Sequence, residues 1–208
     1  MKMLSLPELH QLEMAQLAKE RELSEPDPEM WRWSPLEIAE YARMLEVARS
    51  LAMDGLRRLT LMEAGPGIGT KLYLARYHFG MSEYGYEINK EYIAQARDLN
   101  VNVIEWDLRE SHPPWEDADI VYTARPFKDD EYEVQWENEV MARMRPRAVL
   151  ISAYAAVKPY QWTCYYRAPF RGVWQKPGRK PGPVYGAMIQ RTADGPDPLV
   201  PQPLRRVS

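Results

Sequence analysis

Cysteine is nearly missing from this sequence: Cys164 is the single one in 208 residues. One thiol forms no internal disulfide and builds no cysteine zinc site, a composition that suits a reducing compartment; Cys164 itself reads as a strand residue. Histidine is scarce as well. His10, His78 and His112 are scattered and never stand four apart with an acid between them, so no metal site is expected. No apolar run approaches the length that crosses a bilayer, and the opening MKMLSLPELHQLEM is broken by Pro, Glu and His before a signal-peptide core could form. The expectation is a soluble, cytoplasmic protein with no membrane partner. An excess of one charge is also lacking. The 27 Lys and Arg against 30 Asp and Glu leave a net charge of −3, which provides no long-range basic field for nucleic acid and leaves only local basic patches. The length allows one good-sized core with appendages.

What is present is a concentrated glycine turn. Leu59 to Leu72 reads LTLMEAGPGIGTKL: apolar residues run into Glu63, glycines follow at 65, 67 and 69, and a helical pattern begins. This is the order of a strand, a backbone-dominated turn and a helix start, where bare N–H groups can meet a nucleotide-like ligand. A dinucleotide site wants G-x-G-x-x-G, which would put its third glycine at 70; that position is Thr70 and the glycine comes one residue early. Glu63 would also repel a pyrophosphate.

Around this turn the chain alternates helices and strands. Ser5-Leu6-Pro7-Glu8 has capping-box spacing and opens a modest amphipathic helix to residue 22, with Leu9, Leu12 and Leu17 on its apolar side. A Pro and acid linker follows from Ser24 to Pro28. Trp31 and Trp33 flank Arg32 and either cap a site mouth or staple the linker to the core, packing being the commoner use of large aromatics. Ser34-Pro35-Leu36-Glu37 repeats the capping signal, and Ile38, Tyr41, Ala42, Leu45, Ala48, Leu51 and Ala52 continue at helical spacing until Gly55.

Beyond the turn, the spacing predicts a helix over 70–79, a strand from Glu83 to Tyr86 ending at Glu87, a helix over 90–99, and a strand from Val101 to Trp106 ending at Asp107. Strands over 118–122 and 148–154 flank a helix over 130–144. Glu87 lies about twenty residues past the glycine turn, where an α/β nucleotide fold places the carboxylate that accepts both ribose hydroxyls. The alternative for Glu87 is a helix N-terminal acid, which the coincidence of strand end and spacing disfavours, and a strand-to-loop acid such as Asp107, taken alone, is more often a turn residue. Trp162 to Trp174 reads as one aromatic, strand-like stretch, Lys176 to Pro183 as a basic Gly/Pro loop, and Tyr185 to Arg191 as a strand that pairs with it. The tail from Thr192 repeats prolines and reads as flexible.

The alternating E-x-G-x-G-x-G of Glu63, Gly65, Gly67 and Gly69, followed by acids at Glu87 and Asp107, resembles the class I S-adenosylmethionine-dependent methyltransferases over roughly residues 58 to 191. That resemblance implies an α/β, Rossmann-like seven-stranded sheet, mostly parallel with a C-terminal antiparallel hairpin, covered by N-terminal helices. It divides the chain into an N-terminal helical extension (1–57), the Rossmann-like domain (58–191) and the tail (192–208). It implies S-adenosyl-L-methionine as cofactor, with Glu63 and the three glycines at the cationic methionine end, Glu87 and Ile88 at the ribose, and Asp107 and Leu108 at the adenine.

Tyr122 and Arg125 fall where the family presents its acceptor, with Lys128 and Asp129 near them. The segment Thr123-Ala124-Arg125-Pro126-Phe127 stands in the place of the family's Asp/Asn-Pro-Pro-aromatic box, but Ala124 replaces the polar residue that would accept hydrogen bonds from a planar amine. The resemblance thus points to a methyltransferase acting on a small molecule or protein side chain. A nucleic-acid methyltransferase, with Lys176, Arg179 and Lys180 on phosphate, and a non-catalytic binding module are the alternatives.

Overall fold

The computed structural model describes residues 3–22, 36–53, 57–110, 113–124, 126–127, 129–153, 162–168 and 171–178. Trp31, Trp33, Ser34, His112, Arg125, Lys128, Tyr154, the loop from Arg179 onward, the strand expected at Tyr185 to Arg191 and the tail lie outside them.

Two helices precede the sheet. The first, α1 (Leu6–Glu22), opens with the expected capping box: the Glu8 carboxylate accepts from the Ser5 N–H at 2.7 Å and the Ser5 hydroxyl accepts from the Glu8 N–H at 3.4 Å. Its buried face differs from the expected leucine stripe. Leu9 is buried, but Leu12 is 38% exposed, and Glu13 and Gln16 turn inward in its place. The next helix, α2 (Ile38–Ala52), buries Ile38, Tyr41, Met44, Leu45, Ala48, Leu51 and Ala52. Each large side chain among these contributes about 1.5–3 kcal/mol by leaving water.

The sheet elements follow as β1 (Thr60–Ala64), α3 (Thr70–Tyr73), β2 (Ser82–Glu87), α4 (Lys90–Asp98), β3 (Val103–Glu105), β4 (Ile120–Thr123), α5 (Asp130–Arg143), β5 (Val149–Ala153), β6 (Thr163–Ala168) and β7 (Arg171–Gln175). They form one seven-stranded sheet in the order β3-β2-β1-β4-β5-β7-β6. The first five are parallel to one another, and β7 runs antiparallel between β5 and β6. The C-terminal hairpin therefore lies wholly within the stretch read as a single aromatic strand, between Thr163 and Gln175, rather than across the basic loop.

Two hydrophobic clusters sit on the two faces of the sheet. Leu61, Ile120, Tyr122, Val149 and Ile151 join α2, α3 and α4 on one face; Met62, Val121 and Leu150 join Trp115, Trp136 and Val140 on the other. The helix expected over 70–79 changes character partway. After Tyr73 it widens into a π-helical turn, Leu74–His78, closed by the Phe79 N–H on the Leu74 carbonyl at 3.3 Å. This segment holds the start of the chain: the Tyr73 hydroxyl accepts from the Leu4 N–H at 2.9 Å, and His78 Nε2 lies 2.8 Å from the Leu4 carbonyl.

Candidate functional site

Strand order reverses at β1. The chain goes from β1 to β2 and β3 on one side and returns to β4 and β5 on the other, which opens a crevice at the carboxyl ends of β1 and β4 where open α/β sheets take ligands. The glycine turn leaves β1 at that point. Gly67 has φ 55° and Gly69 has φ 82°, a region in which side-chain-bearing residues are strained. Gly69 is also required by packing, since a Cβ there would meet Val101 Cγ2 at 2.8 Å and Ala96 Cβ at 3.1 Å.

Glu87, the last residue of β2, reaches back to this turn. Its Oε2 accepts from the Gly67 N–H at 3.0 Å, and its Oε1 accepts from the N–H groups of Ile88 and Asn89, each at 2.9 Å. Burial raises the carboxyl's pKa, and the three backbone donors oppose that rise. With two donors on Oε1, Oε2 is the oxygen that keeps a lone-pair direction for another partner.

Glu63 presents the opposite situation. It is 4% exposed, it is flanked in register by Gly85 of β2 and Tyr122 of β4, and its Oε2 has no hydrogen-bond partner. Burial pushes its carboxyl from 4.5 up to about 8; the Lys71 ammonium opposes this, while Glu13 and Glu87 add to it. Lys71, in the first turn of α3, is 3% exposed, and burial lowers its pKa against the pull of Glu13. The Glu13 carboxylate on α1 accepts from the Thr70 hydroxyl at 2.6 Å and pairs with Lys71 Nζ.

Asp107 lies two residues past β3 and is held by Arg109. The Arg109 backbone N–H donates to Oδ1 at 2.8 Å, its Nε to Oδ1 at 3.0 Å and its Nη2 to Oδ2 at 2.8 Å. The guanidinium keeps the Asp107 carboxyl below its ordinary range. Leu108 is buried and belongs to the cluster on the α5 face.

The fold thus brings Glu63, Gly65, Gly67, Gly69, Glu87 and Ile88 together at one sheet edge, with Asp107 and Leu108 one loop away. Tyr122 is 2% exposed in β4, its ring 4.8 Å from that of Tyr41. Asp129 caps α5, accepting from the Tyr132 N–H at 2.8 Å. Lys176 points to structure as well, donating to the carbonyls of Met141 and Ala142 at 2.8 Å and to that of Met144, the end of α5.

Three polar residues escaped sequence reasoning: Glu13, Lys71 and Arg109. Lys71 stands two residues after the last glycine of the turn and Arg109 two residues after a predicted site acid, and position was the one signal available for either. Glu13 had one signal, its place four residues after Leu9 on the same helix face.

No family model matches the sequence, and no curated protein matches it. Solved structures do match its fold. An RNA methyltransferase from Salinibacter ruber, in complex with S-adenosyl-L-homocysteine, is 18% identical with a TM-score of 0.53, covering 74% of this chain and 100% of its own. DesVI of Streptomyces venezuelae is 15% identical with a TM-score of 0.47, covering 79% of this chain and 66% of its own. Phosphoethanolamine N-methyltransferase 2 of Haemonchus contortus, in complex with S-adenosyl-L-methionine, is 16% identical with a TM-score of 0.41; the match covers 53% of this chain and 27% of that longer protein. The sheet order, the antiparallel β7 and the Salinibacter ruber likeness together establish that this chain has the fold of the class I S-adenosylmethionine-dependent methyltransferases.

Proposed function

We propose that the protein is an S-adenosylmethionine-dependent methyltransferase acting on a small molecule or a protein side chain. The observation that carries this reading is the unpartnered Glu63 Oε2, buried at the reversal of strand order beside the turn that Glu87 braces. A buried acid without a partner is costly. A ligand with a cationic end supplies the missing partner, whereas a pyrophosphate would be repelled.

The residues present fit the whole cofactor. Glu63 takes its cationic methionine end, Glu87 Oε2 a ribose hydroxyl, and Asp107 with the Leu108 backbone the adenine edge. When bound, the cofactor supplies an electrophilic methyl on a sulfonium. The chain's own contribution is placement: fixing two reactants in line offers about 7–11 kcal/mol of the barrier, whereas a general base adds about 10²- to 10⁴-fold. Tyr122 and Arg125, at and just beyond the end of β4, are the candidates to orient the acceptor.

Calorimetric titration with S-adenosylhomocysteine tests the reading. Saturable binding is expected, together with its loss in Gly67→Arg, which puts a side chain on a turn residue held at φ 55°. A wild-type protein that gives no binding heat and no thermal shift with this ligand would overturn the proposal.

A further inference from the structure

An α-amino acid carries an ammonium and a carboxylate on one carbon, so its receptor needs an acid and a base side by side. Glu63 and Lys71 are such a pair, each almost fully buried and each within reach of the other's charge. The acid's Oε2 has no partner, and the base is held by one carboxylate from a different element. Burying ion pairs commonly costs as much desolvation as it returns in attraction, so stability alone is a weak reason for the arrangement.

We propose that Lys71 takes the carboxylate at the amino-acid end of the cofactor and that Glu13 of α1 holds that place until the ligand carboxylate arrives. The inference rests on the cofactor reading above and adds to it a binding group and an internal competitor. Glu13 already makes the bonds a ligand carboxylate would make, accepting from the Thr70 hydroxyl at 2.6 Å and from Lys71 Nζ. Both donors sit immediately after Gly69, next to the acid that would meet the ligand's ammonium. Among the described residues, the titratable groups around Glu63 are Glu13 from α1, Lys71 from α3 and Glu87 from β2, with Tyr41 from α2 and Tyr122 from β4 beside them. Lys71 is the single cation among them.

Two ligands separate the inference from its foundation. S-adenosylhomocysteine has the amino-acid end, and 5′-methylthioadenosine has the same nucleoside and sulfur without it. Calorimetric titration of the full chain is expected to show that Lys71→Met weakens S-adenosylhomocysteine by about 10- to 100-fold, the range of a lost charged hydrogen bond, with methylthioadenosine unchanged. Glu13→Gln should tighten S-adenosylhomocysteine and leave methylthioadenosine unchanged. Because Lys71→Met strands the buried Glu13 charge, the double variant Glu13→Gln with Lys71→Met serves as a folded comparison and should show the same ligand-selective loss. Equal weakening of both ligands in the lysine variants, or weaker S-adenosylhomocysteine binding in Glu13→Gln, overturns the inference while leaving the cofactor reading intact. A wild type that binds neither nucleoside overturns both.

Discussion

The Glu87 carboxylate accepts a hydrogen bond from the Gly67 backbone N–H at 3.0 Å, across twenty residues of sequence. The acid at the end of β2 therefore shapes the turn after β1 and faces the crevice at the same time. Neither half of this site is set without the other.

Replacing Glu87 separates these two roles. Glu87→Ala removes the acceptor for the N–H groups of Gly67, Ile88 and Asn89 together, and stranded donors cost about 1–3 kcal/mol each. Glu87→Gln keeps one carbonyl oxygen for Ile88 and Asn89 but offers no acceptor to Gly67. Chemical denaturation should rank the variants wild type, Gln, Ala in falling stability. An alanine variant as stable as the glutamine variant would show that the brace carries no weight.

Glu63 makes the stability of the ligand-free protein depend on pH. Its carboxyl titrates near 8 in the fold against 4.5 when free. Between those values the folded state keeps a proton that the unfolded chain has released, so stability falls as pH rises through this window and levels off above about 8. The total loss from this group is on the order of a few kcal/mol. Denaturation series across the window should give a slope in wild type that Glu63→Gln flattens; parallel curves would refute it. Binding a ligand ammonium at Glu63 below pH 8 should also release a proton, read as a dependence of binding heat on the buffer's ionisation enthalpy.

Asp119, at the amino end of β4, offers the contrasting case. It is wholly buried, accepts from the Thr60 N–H at 2.8 Å and from Arg57 Nη1 at 2.8 Å, and pairs with Arg145. It lies at the sheet edge opposite the glycine turn. Asp119→Ala should lower stability by about 3 kcal/mol, since breaking a buried pair leaves its partners unmatched, while the protein that remains folded binds S-adenosylhomocysteine with wild-type affinity. A change in that affinity would show that the two edges are coupled.

Element order was legible because the parallel strands are short runs bounded by an acid or a turn residue, Glu87 closing β2 and Asp119 preceding β4. The C-terminal hairpin was not. Between Trp162 and Trp174 aromatic residues recur on both sides of Arg167 to Gly172, so the stretch reads as one strand-like run and period alone does not show where the chain reverses. The π-helical turn after Tyr73 leaves no mark in a helical pattern either. In the site, Glu63, Glu87 and the glycines stood in one local frame that spacing exposes. Glu13 did not, because its partner Lys71 is 58 residues away, and a charged residue on a helix reads as solvated until the fold supplies its counterion.

The brevity of β3 has a use at the rim of the molecule. This outermost parallel strand spans only Val103–Glu105, and its exposed Glu105 pairs with Lys90 at 3.3 Å. A free strand with unpaired N–H and C=O groups invites another chain to add on, and natural sheets blunt such margins with few residues and with charge. Here the exposed Ile104 is bounded by an ionic pair on a three-residue ladder, which leaves a second molecule little to zip onto from that side.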